Sequence, residues 1–189
     1  HYPLWWTRVK ALLGGTRSLG WSVSCLEEVC YGLLKERGLT VGTAESCTGG
    51  LLAKLLTDLP GSSALFRGGI VSYTNAVKAG VLGVPQTLLD QYGAVSPQVA
   101  EAMARGAKAV LGCDIALSTT GVAGPGPDGD KPAGLVYVGL RIPASLTADH
   151  AEVLKAVELH LDGMREEVRR LTVFHVLQNL SLFTASFKE

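Results

Sequence analysis

Strand-like runs at 40–45, 66–73, 115–120 and 134–142 are separated by segments with helical spacing, and that alternation leaves few folds open. Each run is short, apolar and rich in β-branched residues, as buried strands are, and Val153 to His160 alternates as an edge strand does. Between the runs, Ser96-Pro97 supplies an N-cap and a first-turn proline for a helix that carries Val99, Met103, Ala107 and Val110 on one side. Gly163-Met164-Arg165 turns into a further helix through Val168, Leu171, Phe174 or His175, and Leu177 to Leu182. Strands alternating with helices predict an α/β sheet layered by helices.

A chain of 189 residues with 47% hydrophobic content can bury one substantial core and has little room for a second. We expect an N-terminal extension or linker remnant over residues 1–23, one domain over 24–182 and a fraying tail over 183–189. The missing initiator methionine points to a fragment. Ser24-Cys25-Leu26-Glu27 reads as a capping box, followed at helical spacing by Leu26, Val29, Cys30 and Leu33, with Gly38 as the stop. Lysine plus arginine and aspartate plus glutamate number 17 each, so no global field holds a nucleic-acid backbone or an anionic membrane. No apolar run approaches the roughly 20 residues of a membrane span, and Leu4 to Lys10 is too short and interrupted for a signal core. Cys25, Cys30, Cys47 and Cys113 lack paired zinc spacing and are sparse for a disulfide scaffold, so a reduced, cytoplasmic protein is expected.

The run Thr43-Ala44-Glu45-Ser46-Cys47-Thr48-Gly49-Gly50 places hydroxyl, thiol and glycine backbone where a strand turns into a helix over 48–57. Free N–H groups at such a corner attract developing negative charge. Ser46 there is either a nucleophile with backbone donors for its oxyanion or an N-cap, and these residues alone leave both readings open. Cys47 is a rival nucleophile, because a helix N-terminus also favours a thiolate. The four histidines, His1, His150, His160 and His175, lie away from this run, which disfavours a serine–histidine pair. Lys78 is an alternative base, provided burial or a neighbouring cation such as Arg165 or Lys131 keeps it neutral. An isolated lysine is ordinarily a solvated surface residue, and Tyr73 in a β-branched strand is ordinarily core.

Several motifs in consistent order decide among these readings. They are Ala44-Glu45-Ser46-Cys47-Thr48-Gly49-Gly50, Pro60-Gly61-Ser62-Ser63, Gly69 to Asn75 with Lys78, Gly93-Ala94-Val95-Ser96, Thr120 to Pro125, and Lys131 to Tyr137. From Leu39 to about Leu180 the chain resembles the CinA C-terminal domain family, whose characterised activity is nicotinamide mononucleotide deamidation. The resemblance implies a three-layer α/β/α sandwich with a mixed, mostly parallel sheet in which one strand is antiparallel. It implies hydrolysis of a carboxamide without metal or cofactor, with Ser46 as nucleophile, Lys78 as base and Tyr73 assisting proton transfer. Nicotinamide mononucleotide would become nicotinate mononucleotide and ammonia. The N–H groups around Thr48 and Gly49 would hold the oxyanion, and Cys47 would stand in the wall.

Thr119 to Gly129 is a glycine-rich loop after a strand, a form that presents N–H groups to anions and equally serves as a plain surface turn. It matches neither the Walker A nor the dinucleotide fingerprint. Beside the family pattern we expect Thr120 and Gly121 to line the site, with Lys131 and Arg165 as phosphate partners. Glu45 is expected to bind the ribose hydroxyls or order the corner, and Asn75 to cap the Lys78 turn or bind the carboxamide. Neither has a companion histidine or cysteine at zinc-ligand spacing. A homodimer is expected from the family, and some relatives carry this module behind another domain. The competing readings are a nucleotide-sensing module without turnover and an interaction module of a larger protein involved in DNA uptake or repair.

Overall fold

The computed structural model describes residues 32–147 and 149–185, so the expected extension at 1–23 and the capping box at Ser24 lie outside the described residues, as do Cys25 and Cys30. Chain order is α1 (Gly32–Glu36), β1 (Val41–Glu45), α2 (Leu51–Thr57), β2 (Phe66–Val71), α3 (Asn75–Gly80), α4 (Gln86–Tyr92) and α5 (Pro97–Leu111). It continues with β3 (Ile115–Gly121), β4 (Leu135–Ile142), β5 (Val153–His160) and α6 (Arg165–Ala185). Two short 3₁₀ turns, Ser62–Ala64 and Ala144–Leu146, complete the described elements.

The five strands form one sheet in the order β2-β1-β3-β4-β5. β1 pairs in parallel with β2 and β3, whereas β4 lies antiparallel to both β3 and β5. Four strands therefore run one way and β4 opposes them. The pairings themselves divide evenly, so "mostly parallel" describes strand direction and not the ladders.

Alternation along the central strands feeds two apolar layers, as the pleat requires. Ile115 and Leu117 pack with Leu52 and Leu56 of α2 and with Val168, Val173, Val176 and Leu180 of α6. Ala116 and Ala44 face Val99, Met103, Ala104 and Ala107 of α5, together with Leu82, Val84 and Leu89. These two helix layers make the α/β/α sandwich. Small residues bring α5 hard against the sheet: a Cβ on Gly139 would fall onto the Ala100 carbonyl and Ser118 Oγ, whose hydroxyl donates to that carbonyl at 2.6 Å. Ser96 caps α5 as its sequence predicts, its hydroxyl accepting from Val99 N at 3.3 Å.

Three boundaries differ from the sequence reading by more than one residue, the first being the start of α2 at Leu51 and not at 48. β2 ends at Val71 and not at 73, because the Ser72 and Tyr73 carbonyls turn inward to accept from Lys78 Nζ. α6 continues to Ala185, past the expected stop at 182.

The corner after β1 is built by a carboxylate. Ser46 is not the N-cap of α2; Gly50 holds that position at φ 105° and offers no side chain. Glu45, 1% exposed, reaches over the turn instead, and its Oε1 accepts from Leu52 N at 2.8 Å and Thr48 Oγ1 at 2.6 Å while Oε2 accepts from Ala53 N at 3.1 Å. Its negative charge sits on the positive end of α2, and it satisfies N–H groups that a helix start leaves open. Glu45→Ala is therefore expected to lower unfolding free energy by about 2–4 kcal/mol, since buried donors lose a charged acceptor. Denaturant unfolding measures this, and a loss below about 0.5 kcal/mol would show that the carboxylate is not the cap it resembles. Gly139→Ala is expected to destabilise by about 1–3 kcal/mol through overpacking, read in the same experiment.

Candidate active site

Strand ends and the loops that follow them converge on a cavity of about 460 Å³. Its lining includes Ser46, Cys47, Tyr73, Asn75, Lys78, Thr120, Gly121, Asp128 and Arg165. β1 delivers Ser46, whose N–H donates to Thr119 O at 2.9 Å and so extends the ladder to β3 by one residue. α3 delivers Lys78. Thr74 caps that helix, its hydroxyl accepting from Val77 N at 3.3 Å, so the cap is Thr74 and not Asn75, which lines the cavity.

Lys78 is 1% exposed, and its Nζ donates to Ser46 Oγ at 2.9 Å, to Ser72 O at 2.8 Å and to Tyr73 O at 3.1 Å. Burial lowers its pKa from 10.5 to about 8, against a smaller opposing effect of Cys47. Desolvation therefore does what the sequence reading left open to a neighbouring cation. Arg165 is occupied elsewhere: one terminal nitrogen donates to Gly124 O at 2.8 Å and the other to Tyr73 Oη at 3.0 Å. Tyr73 is 57% exposed and stands at the cavity rim, not in the core.

Both Ser46 and Cys47 reach the lining, where an extended strand would have sent them to opposite faces. The turn that begins at Ser46, closed by Gly49 N donating to Ser46 O at 3.1 Å, breaks that alternation. Burial pushes the Cys47 thiol up to about 12, which leaves it a wall residue at neutral pH.

Four expected site residues lie outside the lining. Glu45 is not available to ribose hydroxyls, because both oxygens are spent on the start of α2. Thr48 is fully buried, its hydroxyl donating to Glu45 Oε1 and sharing a 2.7 Å hydrogen bond with Thr119 Oγ1. Gly49 N–H is committed to Ser46 O, so it is closed to an oxyanion while that turn is intact. Lys131 pairs through its backbone with Asp128 across a small turn. Thr120 and Gly121 do line the cavity, and the Thr120 hydroxyl donates to Ala94 O at 2.7 Å. None of His150, His160 and His175 reaches it.

Sequence reasoning passed over two residues. Arg169, one helical turn after Arg165, donates from a terminal nitrogen to Thr48 O at 3.0 Å and packs over Gly49. The four-residue spacing of two arginines on one helix was the available signal. Asp128 sits in the glycine-rich loop and is, among the described residues, the one carboxylate in the lining.

Comparison with known proteins places this arrangement. Residues 23–183 match the family model for the CinA C-terminal domain. A CinA-like protein of Frankia casuarinae is 54% identical over 163 residues, covering 86% of this chain and 36% of its own length. A putative competence-damage inducible protein of Caldanaerobacter subterraneus is 46% identical over 151 residues, covering 79% of this chain and 35% of its own. This chain thus spans about a third of the length of such curated relatives. Among solved structures, the competence/damage inducible protein CihA of Agrobacterium tumefaciens superposes with TM-score 0.74 at 37% identity, covering 88% of this chain and 98% of that one. A CinA superfamily protein of Escherichia coli superposes with TM-score 0.77 at 31% identity, covering 88% of this chain and 94% of that one. The chain belongs to the CinA C-terminal domain family.

Proposed function

We propose that this domain is a serine-dependent amidohydrolase that converts nicotinamide mononucleotide to nicotinate mononucleotide and ammonia. The observation that carries the reading is the 2.9 Å contact between Lys78 Nζ and Ser46 Oγ, made by an amine that burial has brought to a pKa of about 8. The choice of substrate follows the family resemblance.

Two carbonyls, Ser72 O and Tyr73 O, fix two N–H directions on Lys78. In the neutral amine the remaining tetrahedral position is a lone pair, aimed at the serine hydroxyl. Lys78 takes the Ser46 proton as Oγ bonds to the carboxamide carbon, and the ammonium so formed stands beside the new oxyanion. Collapse breaks the C–N bond, and the nitrogen leaves as ammonia after receiving that proton. Tyr73 relays that proton at the rim: its hydroxyl, which accepts from Arg165, gives its own proton to the nitrogen and takes up the one from Lys78 in exchange. Water, deprotonated by Lys78 in turn, then releases the acid from the acyl-enzyme.

Ser46→Ala is expected to reduce ammonia release by at least about 10³-fold while the melting transition is retained. A folded variant with undiminished turnover would remove Ser46 from the chemistry. A parent that binds the nucleotide and releases no ammonia would support the sensing reading instead. The pH dependence has a fixed sign. Below about 8 Lys78 is protonated and cannot accept, so kcat/KM is expected to climb about tenfold per pH unit and level off above that value. From about 8 to 10.5 the unfolded chain holds a proton that the folded chain has released, so this group's contribution to stability rises with pH across the same window. A rate profile flat from pH 6 to about 9 would exclude Lys78 as the base.

A further inference from the structure

Besides Lys78, which Ser46 and two carbonyls hold at the strand end, the lining of the cavity holds two charged side chains that form no ion pair among the described residues. Arg165 is bonded to a carbonyl and a phenol, so among the described residues its positive charge stands without a counter-ion. Asp128 forms no ion pair and no side-chain hydrogen bond among the described residues. Its position is nevertheless fixed, because Asp128 N donates to Lys131 O at 2.9 Å and Lys131 N returns a bond to Asp128 O at 3.0 Å. The turn thus holds the Asp128 backbone at a set place on the cavity wall. Arg165 anchors the same loop four residues earlier, through the Gly124 carbonyl. A wall that sets the Arg165 cation and the Asp128 anion outside the Ser46–Lys78 corner complements a ligand that carries both signs.

We propose that Asp128 is a specificity-determining residue that selects substrates whose carboxamide-bearing ring is cationic, with Arg165 facing the anionic part of the same molecule. The proposal rests on the amidohydrolase reading of the site. An N-glycosylated pyridine carboxamide keeps its ring charge from encounter through the tetrahedral intermediate to the acid product. A carboxylate beside that ring therefore attracts ground state and transition state alike, and its removal acts on KM and leaves kcat. Screening in the open cavity limits the effect to about tenfold at low ionic strength, and less as salt is added.

The test compares the parent with Asp128→Asn, a change that keeps the turn's backbone bonds and is expected to leave the melting transition in place. Oxidised nicotinamide mononucleotide is the cationic probe, and its reduced form, with a neutral ring and the same ribose and phosphate, is the matched competitor. Asp128→Asn is expected to raise KM for the oxidised form about tenfold with kcat within about twofold, and to leave the inhibition constant of the reduced form unchanged. Equal weakening of both forms would overturn the proposal in favour of a contact to the shared ribose hydroxyls. An unchanged KM, or a parent that binds the two forms equally, would overturn it outright. If the parent binds without turnover, the amidohydrolase reading fails separately, and calorimetric dissociation constants for the same four pairs decide the question of charge. A parent that binds neither form overturns the proposal too.

Discussion

Placing a lysine amine in the interior is the constraint around which the cavity end of this sheet is arranged. An amine removed from water needs acceptors for its protons, and the Ser72 and Tyr73 carbonyls supply them only by leaving the β-ladder. β2 therefore stops at Val71, Thr74 opens α3 at once, and the short helix returns Lys78 to the strand end it departed from. Strand end, cap and helix thus follow from one side chain. The same burial disfavours the ammonium and makes the group a usable base near neutral pH.

The serine side of the pair is held by a different device. Glu45 organises the turn from below, with its carboxylate on the start of α2, while Arg169 reaches the same turn from α6 through the Thr48 carbonyl. Glu45 meets the first N–H groups of α2 and the Thr48 hydroxyl, and Arg169, of opposite charge, meets the Thr48 carbonyl. Ser46 is thereby fixed without any histidine or carboxylate among the described residues touching its Oγ, and Lys78 is left as its contact.

Much of this was legible in the chain because it depends on local signals. β-branched runs gave the strands, and Ser96-Pro97 gave the start of α5, since capping and periodicity are properties of neighbouring residues. Ser46 and Lys78 were named from motifs, and the fold brings them into contact. What escaped the sequence were choices among equivalent partners across space. Nothing local tells whether Glu45 turns toward a ligand or back onto α2, whether Thr74 or Asn75 caps α3, or which donor Arg165 prefers. Arg169 and Asp128 were passed over for the same reason: each matters through a group far along the chain or through the absence of a neutralising neighbour.

Arg165 and Arg169 of α6 reach back 92 residues to Tyr73 and 121 residues to Thr48. Both contacts exist only with α6 seated on the sheet, so the rim and the turn at Ser46 are held in this shape by the last described helix. The geometry of the cavity rim is thus a reporter of the whole fold's completion: a chain with a finished sheet and an unseated last helix would hold Ser46 and Lys78 without the two arginine clamps around them.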